Sequence, residues 1–240
     1  MRTTNAAQLS TSPLILLHGA LGSTQQLQRL KTVLSDDFKT YCFNFEGHGG
    51  RPSKGNFSMD VFAANIHEFM DDHQIDSACF FGYSMGGYAV LKFAATHPQR
   101  VKKIVTYGTK FDWTPESAAG EVKQLDSQKI LAKVPHFAKH LEQIHAPNDW
   151  KELLKNTATM MLDLGAGAAF STAQMQEIKT PVLICVGDQD TMVSVAESET
   201  AVANLSHGQL KLVEQGVHPL EKNDLTYIST IIKNYTSQSN

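Results

Sequence analysis

Residues Ser77-Ala78-Cys79-Phe80-Phe81-Gly82-Tyr83-Ser84-Met85-Gly86-Gly87-Tyr88-Ala89-Val90-Leu91-Lys92-Phe93-Ala94-Ala95 decide how this chain folds. The first five are mostly apolar, the pattern of a short buried strand. Tyr88 to Ala95 are good helix formers. Between the two lies Gly82-Tyr83-Ser84-Met85-Gly86, a G-x-S-x-G turn. Strand, sharp turn and helix is the context in which this motif presents a nucleophile. Gly82 and Gly86 leave room where side chains would collide. Ser84 then stands at the mouth of a helix, where unpaired N–H groups and the positive end of the helix dipole favour a developing oxyanion.

A serine hydroxyl is a weak nucleophile and needs a base that is itself oriented by a third group. Downstream, Pro181-Val182-Leu183-Ile184-Cys185-Val186 reads as a buried parallel strand and ends in Gly187-Asp188-Gln189-Asp190. Gln209-Leu210-Lys211-Leu212-Val213-Glu214 alternates like a strand, and Gln215-Gly216-Val217-His218-Pro219 follows it. Ser84, an Asp from this turn, then His218 is the chain order of one known triad arrangement. Each candidate falls just past the C-terminal end of a predicted strand, the edge where open α/β sheets build their sites. Pro13-Leu14-Ile15-Leu16-Leu17 is another apolar strand and runs into His18-Gly19-Ala20-Leu21-Gly22. A loop there can aim a backbone N–H at the point served by the N–H of Met85. His18 is read as packing and bonding this loop, because His218 already has the order and context of the base.

Together these segments make the chain similar to the α/β-hydrolase superfamily, in its branch of cap-bearing, esterase-like serine hydrolases. The residues that carry the resemblance are His18-Gly19, Gly47-His48-Gly49, Gly82-Tyr83-Ser84-Met85-Gly86-Gly87, Gly187-Asp188-Gln189-Asp190 and Gly216-Val217-His218. The resemblance implies that the acid is Asp190, the last residue of a G-x-x-D turn. Asp188, directly after Gly187, is placed to bond local backbone N–H groups and hold the turn. It implies that the second oxyanion N–H belongs to Ala20. Two departures are visible. Asn44 or Glu46 stands where many relatives carry an Asp, and so few residues precede the first strand that the usual N-terminal hairpin is expected to be truncated or missing.

The 240 residues suit one α/β domain with an insertion, well above the roughly 70-residue range where a core is marginal. With 42 % hydrophobic and 19 % charged residues the composition is that of a globular protein. A net charge of −3 is too small to imply a nucleic-acid or membrane partner. No apolar run approaches the ~20 residues of a membrane span, and the N-terminus lacks an apolar signal core. Cys42, Cys79 and Cys185 all fall in predicted strands and read as buried apolar residues, not a disulfide or metal framework. A cytoplasmic location is expected.

Strands are expected at 13–17, 39–45, 77–83, 101–107, 181–186 and 209–214, and helices near 24–35, 58–73, 85–96, 193–205 and 219–235. This alternation predicts an α/β fold, a mostly parallel sheet with helices on both faces. The core is assigned to 1–109 and 179–240, and the helical cap to 110–178, because no βαβ link needs that many residues. The cap reads as helices from Gly120 to Val134, Pro135 to His145 and Asn148 to Leu164, with Gly165-Ala166-Gly167-Ala168-Ala169 as the return. In the third helix Trp150, Leu153, Leu154, Thr157, Met161 and Leu164 share one face. Trp150 and Met161 are its candidates for lining an acyl pocket. His136, His140 and His145 lie close together without a carboxylate to complete a metal site, so no metal and no cofactor is expected.

The reading is a serine hydrolase that cleaves a small to medium carboxylic ester or thioester through an acyl-enzyme on Ser84. The alternatives are an acyltransferase, a cofactor-free perhydrolase or a C–C bond hydrolase with the same triad. More distant is a hydrolase-fold ligand sensor.

Overall fold

Apolar runs separated by amphipathic stretches produce a six-stranded sheet in the computed structural model, which describes residues 10–237. The strands are β1 Ser10–Leu17, β2 Phe38–Cys42, β3 Ala78–Tyr83, β4 Val101–Tyr107, β5 Val182–Gly187 and β6 Gly208–Val213. Their order is β2-β1-β3-β4-β5-β6, and every neighbouring pair is parallel. The chain steps from β1 out to β2, then crosses back to β3. The switch point therefore opens a crevice between the carboxyl ends of β1 and β3.

The helices over the sheet are α1 Gln28–Leu34, α2 Met59–Asp72 and α3 Met85–Thr96. Between β4 and β5 run α4 Pro115–Val122, α5 Ser127–Lys133, α6 Pro135–His145, α7 Trp150–Asp163 and α8 Thr172–Gln176. The set closes with α9 Val195–Asn204 and α10 Leu225–Ser237. Alternate strand residues face opposite layers. Ile15, Leu17, Phe80, Ile104 and Ile184 pack with residues of α2, α3 and α9. Leu14, Leu16, Phe81, Val105, Tyr107 and Leu183 pack with α1 and α10. Both β3 and β5 are buried along their whole length, which is why their sequences are continuous apolar runs.

Several boundaries differ from the sequence reading, each for a local reason. The strand expected to reach residue 45 stops at Cys42, and Phe43 and Phe45 continue as buried loop residues. The helix expected from Gly120 to Val134 is two helices. Asp126 breaks it by accepting hydrogen bonds from the N–H groups of Gln128 and Lys129, so it caps α5 instead of continuing α4. The return from the insertion is not a plain linker: Leu164–Ala168 forms a wide helical turn that ends where Gly167 takes φ 115°, and α8 follows. The last helix begins at Leu225 rather than 219, because Asn223 spends its side chain on the preceding loop. The expectation about the N-terminal hairpin lies on residues outside those described. Among the described residues no helix is long and apolar enough to cross a membrane.

Candidate active site

Ser84 follows β3 directly and adopts φ 50° and ψ −118°, a conformation costly for a residue with a Cβ. The surroundings fix it there. Its N–H donates to Tyr107 C=O at 2.9 Å, and its C=O accepts from the N–H of Gly87 at 3.0 Å and the hydroxyl of Thr109 at 3.0 Å. A side chain at Gly82 would lie 2.4 Å from Gly87 Cα, and one at Gly86 would lie 2.6 Å from Leu17 C=O. Those two glycines let the turn close and let α3 press against the end of β1. Met85 opens α3, where backbone N–H groups have no intrahelical partner.

Asp190 and His218 come from the loops after β5 and β6. The parallel register sets Gly187 beside Val213, so these loops run side by side. Gly187 packs on Gly216 so tightly that an added Cβ would fall 2.2 Å from Gly216 C=O. His218 Nδ1 meets Asp190 Oδ2 at 2.9 Å, while Asp190 Oδ1 accepts from the N–H groups of Met192 and Val193 at 2.8 and 2.9 Å. Burial pushes the Asp190 carboxyl up, but the hydrogen bonds from His218 and these two amides outweigh it and hold the group below the usual carboxylate range. Asp190 therefore both orients the imidazole and ties its own loop. The turn-holding role expected of Asp188 is taken by Asp190, and Asp188 is exposed to solvent.

Two positioning residues escaped the sequence reading. Asn223 clamps the histidine loop: its Oδ1 accepts from Val217 N–H at 3.0 Å, and its Nδ2 donates to Val217 C=O and Pro219 C=O, each at 2.9 Å. Gly108, just past β4, lies beneath the Asp190–His218 pair. It adopts φ +62°, and a Cβ there would sit 3.1 Å from His218 Nδ1 and 3.4 Å from Asp190 Oδ2. Gly108→Ala is expected to destabilise the protein by about 1–2 kcal/mol, the cost of a left-handed alanine. It should also lower any turnover that depends on the Asp190–His218 pair by more than its loss of folded protein accounts for. Turnover and urea midpoints measured on the same preparation check this.

The loop after β1 holds Ala20. His18 is fully buried and donates from Nδ1 to Gly19 C=O at 2.8 Å, while Nε2 accepts from Phe45 N–H at 3.1 Å. This is the loop-bonding role read from the sequence. Gly22 N–H closes the turn onto Gly19 C=O at 3.1 Å, and Leu21 takes φ 57°. His145, the last residue of α6, donates from Nε2 to Leu21 C=O at 3.0 Å and accepts at Nδ1 from Gly49 N–H at 3.0 Å. His48 lies between the other two rings, 5.1 Å from His18 and 5.8 Å from His145 by ring centroids, and its buried Nε2 has no partner. His136 and His140, by contrast, are exposed. Asn44 and Glu46, the two alternatives for that departure from the pattern, brace the same region: Asn44 accepts from Thr24 N–H and donates to Gly49 C=O, and Glu46 accepts from Lys54 N–H.

These hydrogen bonds require a neutral ring at both His18 and His145. Burial lowers the pKa of His18 to about 4, pushes His48 well below its ordinary value and lowers His145. The unfolded chain takes up these protons near pH 6.5 and the folded chain does not, so stability falls as pH drops from about 6.5 toward 4. His18 alone accounts for a loss on the order of 3 kcal/mol over that window. The lowered Asp190 carboxyl acts at lower pH, since its stabilisation is lost only as pH falls from around 4 downward. Urea midpoints at pH 7 and pH 4.5 check the expectation, and equal midpoints would refute it.

Ser84 and His218 line one narrow cavity with Ala20, Met85, Trp113, Met160 and Met161, and its free volume is about 50 Å³. The structure thus brings Ser84, His218, Ala20, Met85 and Met161 together. Trp150 goes elsewhere: it is buried against Ile130, Ala138, Leu141 and Leu154 within the insertion. The helical face that carries it divides, because Leu153 and Leu164 pack toward the sheet while Trp150 and Leu154 pack toward α5 and α6. Trp113 is the tryptophan at the cavity; it sits in the loop before α4, where no periodicity marks it. A larger hollow lined by Val101, Lys102 and Lys179 lies by the amino end of β4, the opposite edge of the sheet from Ser84.

The family model described as Serine aminopeptidase, S33 matches residues 10–225. Esterase YbfF of Escherichia coli (strain K12) is 34 % identical over 98 residues, which cover 41 % of this chain and 39 % of that protein. The match thus spans about two fifths of the esterase. 3-Oxoadipate enol-lactonase 2 of Acinetobacter baylyi is 23 % identical over 217 residues, 84 % of this chain and 80 % of the relative. The solved esterase EaEST from Exiguobacterium antarcticum superposes with a TM-score of 0.79 at 16 % identity, covering 96 % of this chain and 94 % of that one. Strand order, elbow and family match agree: the chain belongs to the α/β-hydrolase superfamily, in the family described as Serine aminopeptidase, S33.

Proposed function

We propose that this protein is a serine esterase acting on small carboxylic esters or thioesters. The observation that carries the reading is the 2.9 Å bond between His218 Nδ1 and Asp190 Oδ2, behind a cavity that also holds Ser84. Asp190 keeps the proton on Nδ1, so Nε2 is free to accept the Ser84 proton as Oγ attacks the carbonyl carbon. The N–H groups of Met85 and Ala20 receive the oxyanion, a contribution typically worth about 3–4 kcal/mol per donor. His218 returns the proton to the leaving alcohol or thiol. Water, deprotonated by the same imidazole, then cleaves the acyl-enzyme and restores Ser84. No step calls for a metal or an organic cofactor. Esterase and lactonase relatives support ester chemistry. Free thiols at Cys42, Cys79 and Cys185 support a reducing, cytoplasmic setting.

Helices α4 to α8, within 110–178, act as the cap in this reading, since Trp113, Met160 and Met161 bring it to the cavity wall. The small free volume favours a short acyl group. Across p-nitrophenyl acetate, butyrate, hexanoate and octanoate, kcat/KM is expected to peak at acetate or butyrate. A peak at octanoate would refute the short pocket, and rates no higher than those of Ser84→Ala would refute the esterase. Aminoacyl p-nitroanilides in the same panel test peptidase activity, which the family description names.

A further inference from the structure

Besides Ser84, His218 and Tyr88, whose hydroxyl accepts from Phe170 N–H, the cavity is lined by apolar residues and by one pair of charged side chains. Lys110 and Glu121 both line it. Lys110 follows β4; Glu121 lies in the last turn of α4. Their Nζ and Oε1 atoms are 3.6 Å apart, and the side chains are only 17 % and 16 % exposed. At that separation the pair is an ion contact longer than a hydrogen bond, and the ammonium's three donors are scarcely used. Trp113 holds Lys110 through both its backbone and its side chain. Its C=O accepts from Trp113 Nε1 at 3.2 Å, and its Nζ lies 5.8 Å from the centre of the Trp113 ring.

We propose that Lys110 and Glu121 form a specificity subsite for an acyl group whose far end is neutral and carries both a donor and an acceptor, of which a primary carboxamide is the simplest. The proposal rests on the esterase reading and adds the substrate class. Its warrant is desolvation. An acyl chain that fills the cavity displaces the water around a nearly buried ion pair. A hydrocarbon end gives nothing back, leaving a charged donor and a charged acceptor dry. A carboxylate end competes with Glu121 for one ammonium, and an ammonium end competes with Lys110 for one carboxylate, so each adds an unbalanced charge. A carboxamide fits between them: its C=O accepts from Lys110 Nζ and its NH₂ donates to Glu121. Sites with such buried polar groups discriminate strongly against ligands that leave them unpaired.

Four methyl esters of nearly equal size test this: methyl succinamate, methyl 4-methylpentanoate, monomethyl succinate and methyl 4-aminobutyrate. Binding is read on the Ser84→Ala protein from the methyl resonances of Met160 and Met161, so it does not depend on turnover. Hydrolysis is read on the wild type by methanol release. Methyl succinamate is expected to bind roughly tenfold or more tightly than methyl 4-methylpentanoate. Glu121→Gln and Lys110→Met should each erase most of that preference. Tightest binding by monomethyl succinate makes the subsite an anion site and overturns the proposal. Tightest binding by methyl 4-aminobutyrate makes Glu121 a cation reader and overturns it as well. Equal or tighter binding of methyl 4-methylpentanoate leaves the ion pair as a strut of the insertion and also overturns it. If methyl succinamate is bound preferentially but the wild type releases no methanol from any of the four esters, the subsite stands and the esterase reading falls.

Discussion

Replacing Ser84 by alanine should reduce ester turnover by about 10³- to 10⁶-fold, the range expected when a nucleophile that acts together with its base is removed. The fold should survive. The φ of 50° at this position costs alanine about what it costs serine, and the backbone contacts to Tyr107, Gly87 and Thr109 do not involve the hydroxyl. A fluorophosphonate probe should place one adduct on the wild type, at Ser84, and none on the variant. Equal labelling of the variant, or a second adduct of similar yield on the wild type, would remove Ser84 from the mechanism.

Asp190→Asn should cost about 10⁴-fold in kcat through the tautomer of His218. The argument is geometric. Oδ1 accepts from two backbone amides, Met192 and Val193, and an asparagine must keep its carbonyl oxygen there. Its NH₂ then faces His218 Nδ1, where Oδ2 now sits at 2.9 Å. A donor at that position holds the ring proton on Nε2, the atom that accepts from Ser84 in the proposed mechanism. Asp188→Asn, at an exposed position two residues away, should change kcat less than about twofold, since surface substitutions of this kind usually have small effects. Steady-state kinetics on both variants decide between the two aspartates; collapse in Asp188→Asn with survival in Asp190→Asn reverses the assignment.

The sheet was legible in the sequence because stretches of its inner strands are buried on both faces and therefore apolar without interruption, as in Leu14 to Leu17 and Val182 to Val186. The elbow was legible because two glycines are forced by backbone crowding at Leu17, His18 and Gly87. The insertion was harder. The Asp126 cap that divides α4 from α5 is a single side chain in an otherwise helical stretch. The face containing Trp150 and Met161 has one periodicity but two destinations, and periodicity does not tell which neighbour each residue meets. Asn223 and Gly108 carry no motif at all, since their importance comes from loops that converge only once β4, β5 and β6 are aligned. Lys110 and Glu121 read as surface charges until the structure sets them in the wall of the cavity.

The row of three neighbouring imidazoles, His18, His48 and His145, bears on how such proteins can be recombined. His145 arrives on α6 yet spends both ring nitrogens on the loops that carry Leu21 and Gly49. A chimaera that replaces residues 110–178 with the helices of another hydrolase deletes those two anchors, and the loop beside Ala20 loses a support that no residue of β1 supplies. A graft designed to change substrate choice must therefore bring a histidine of its own to that point, or it alters the loop beside Ala20 together with the pocket. The segment proposed to set specificity and the loop proposed to serve the chemistry are inherited as one unit.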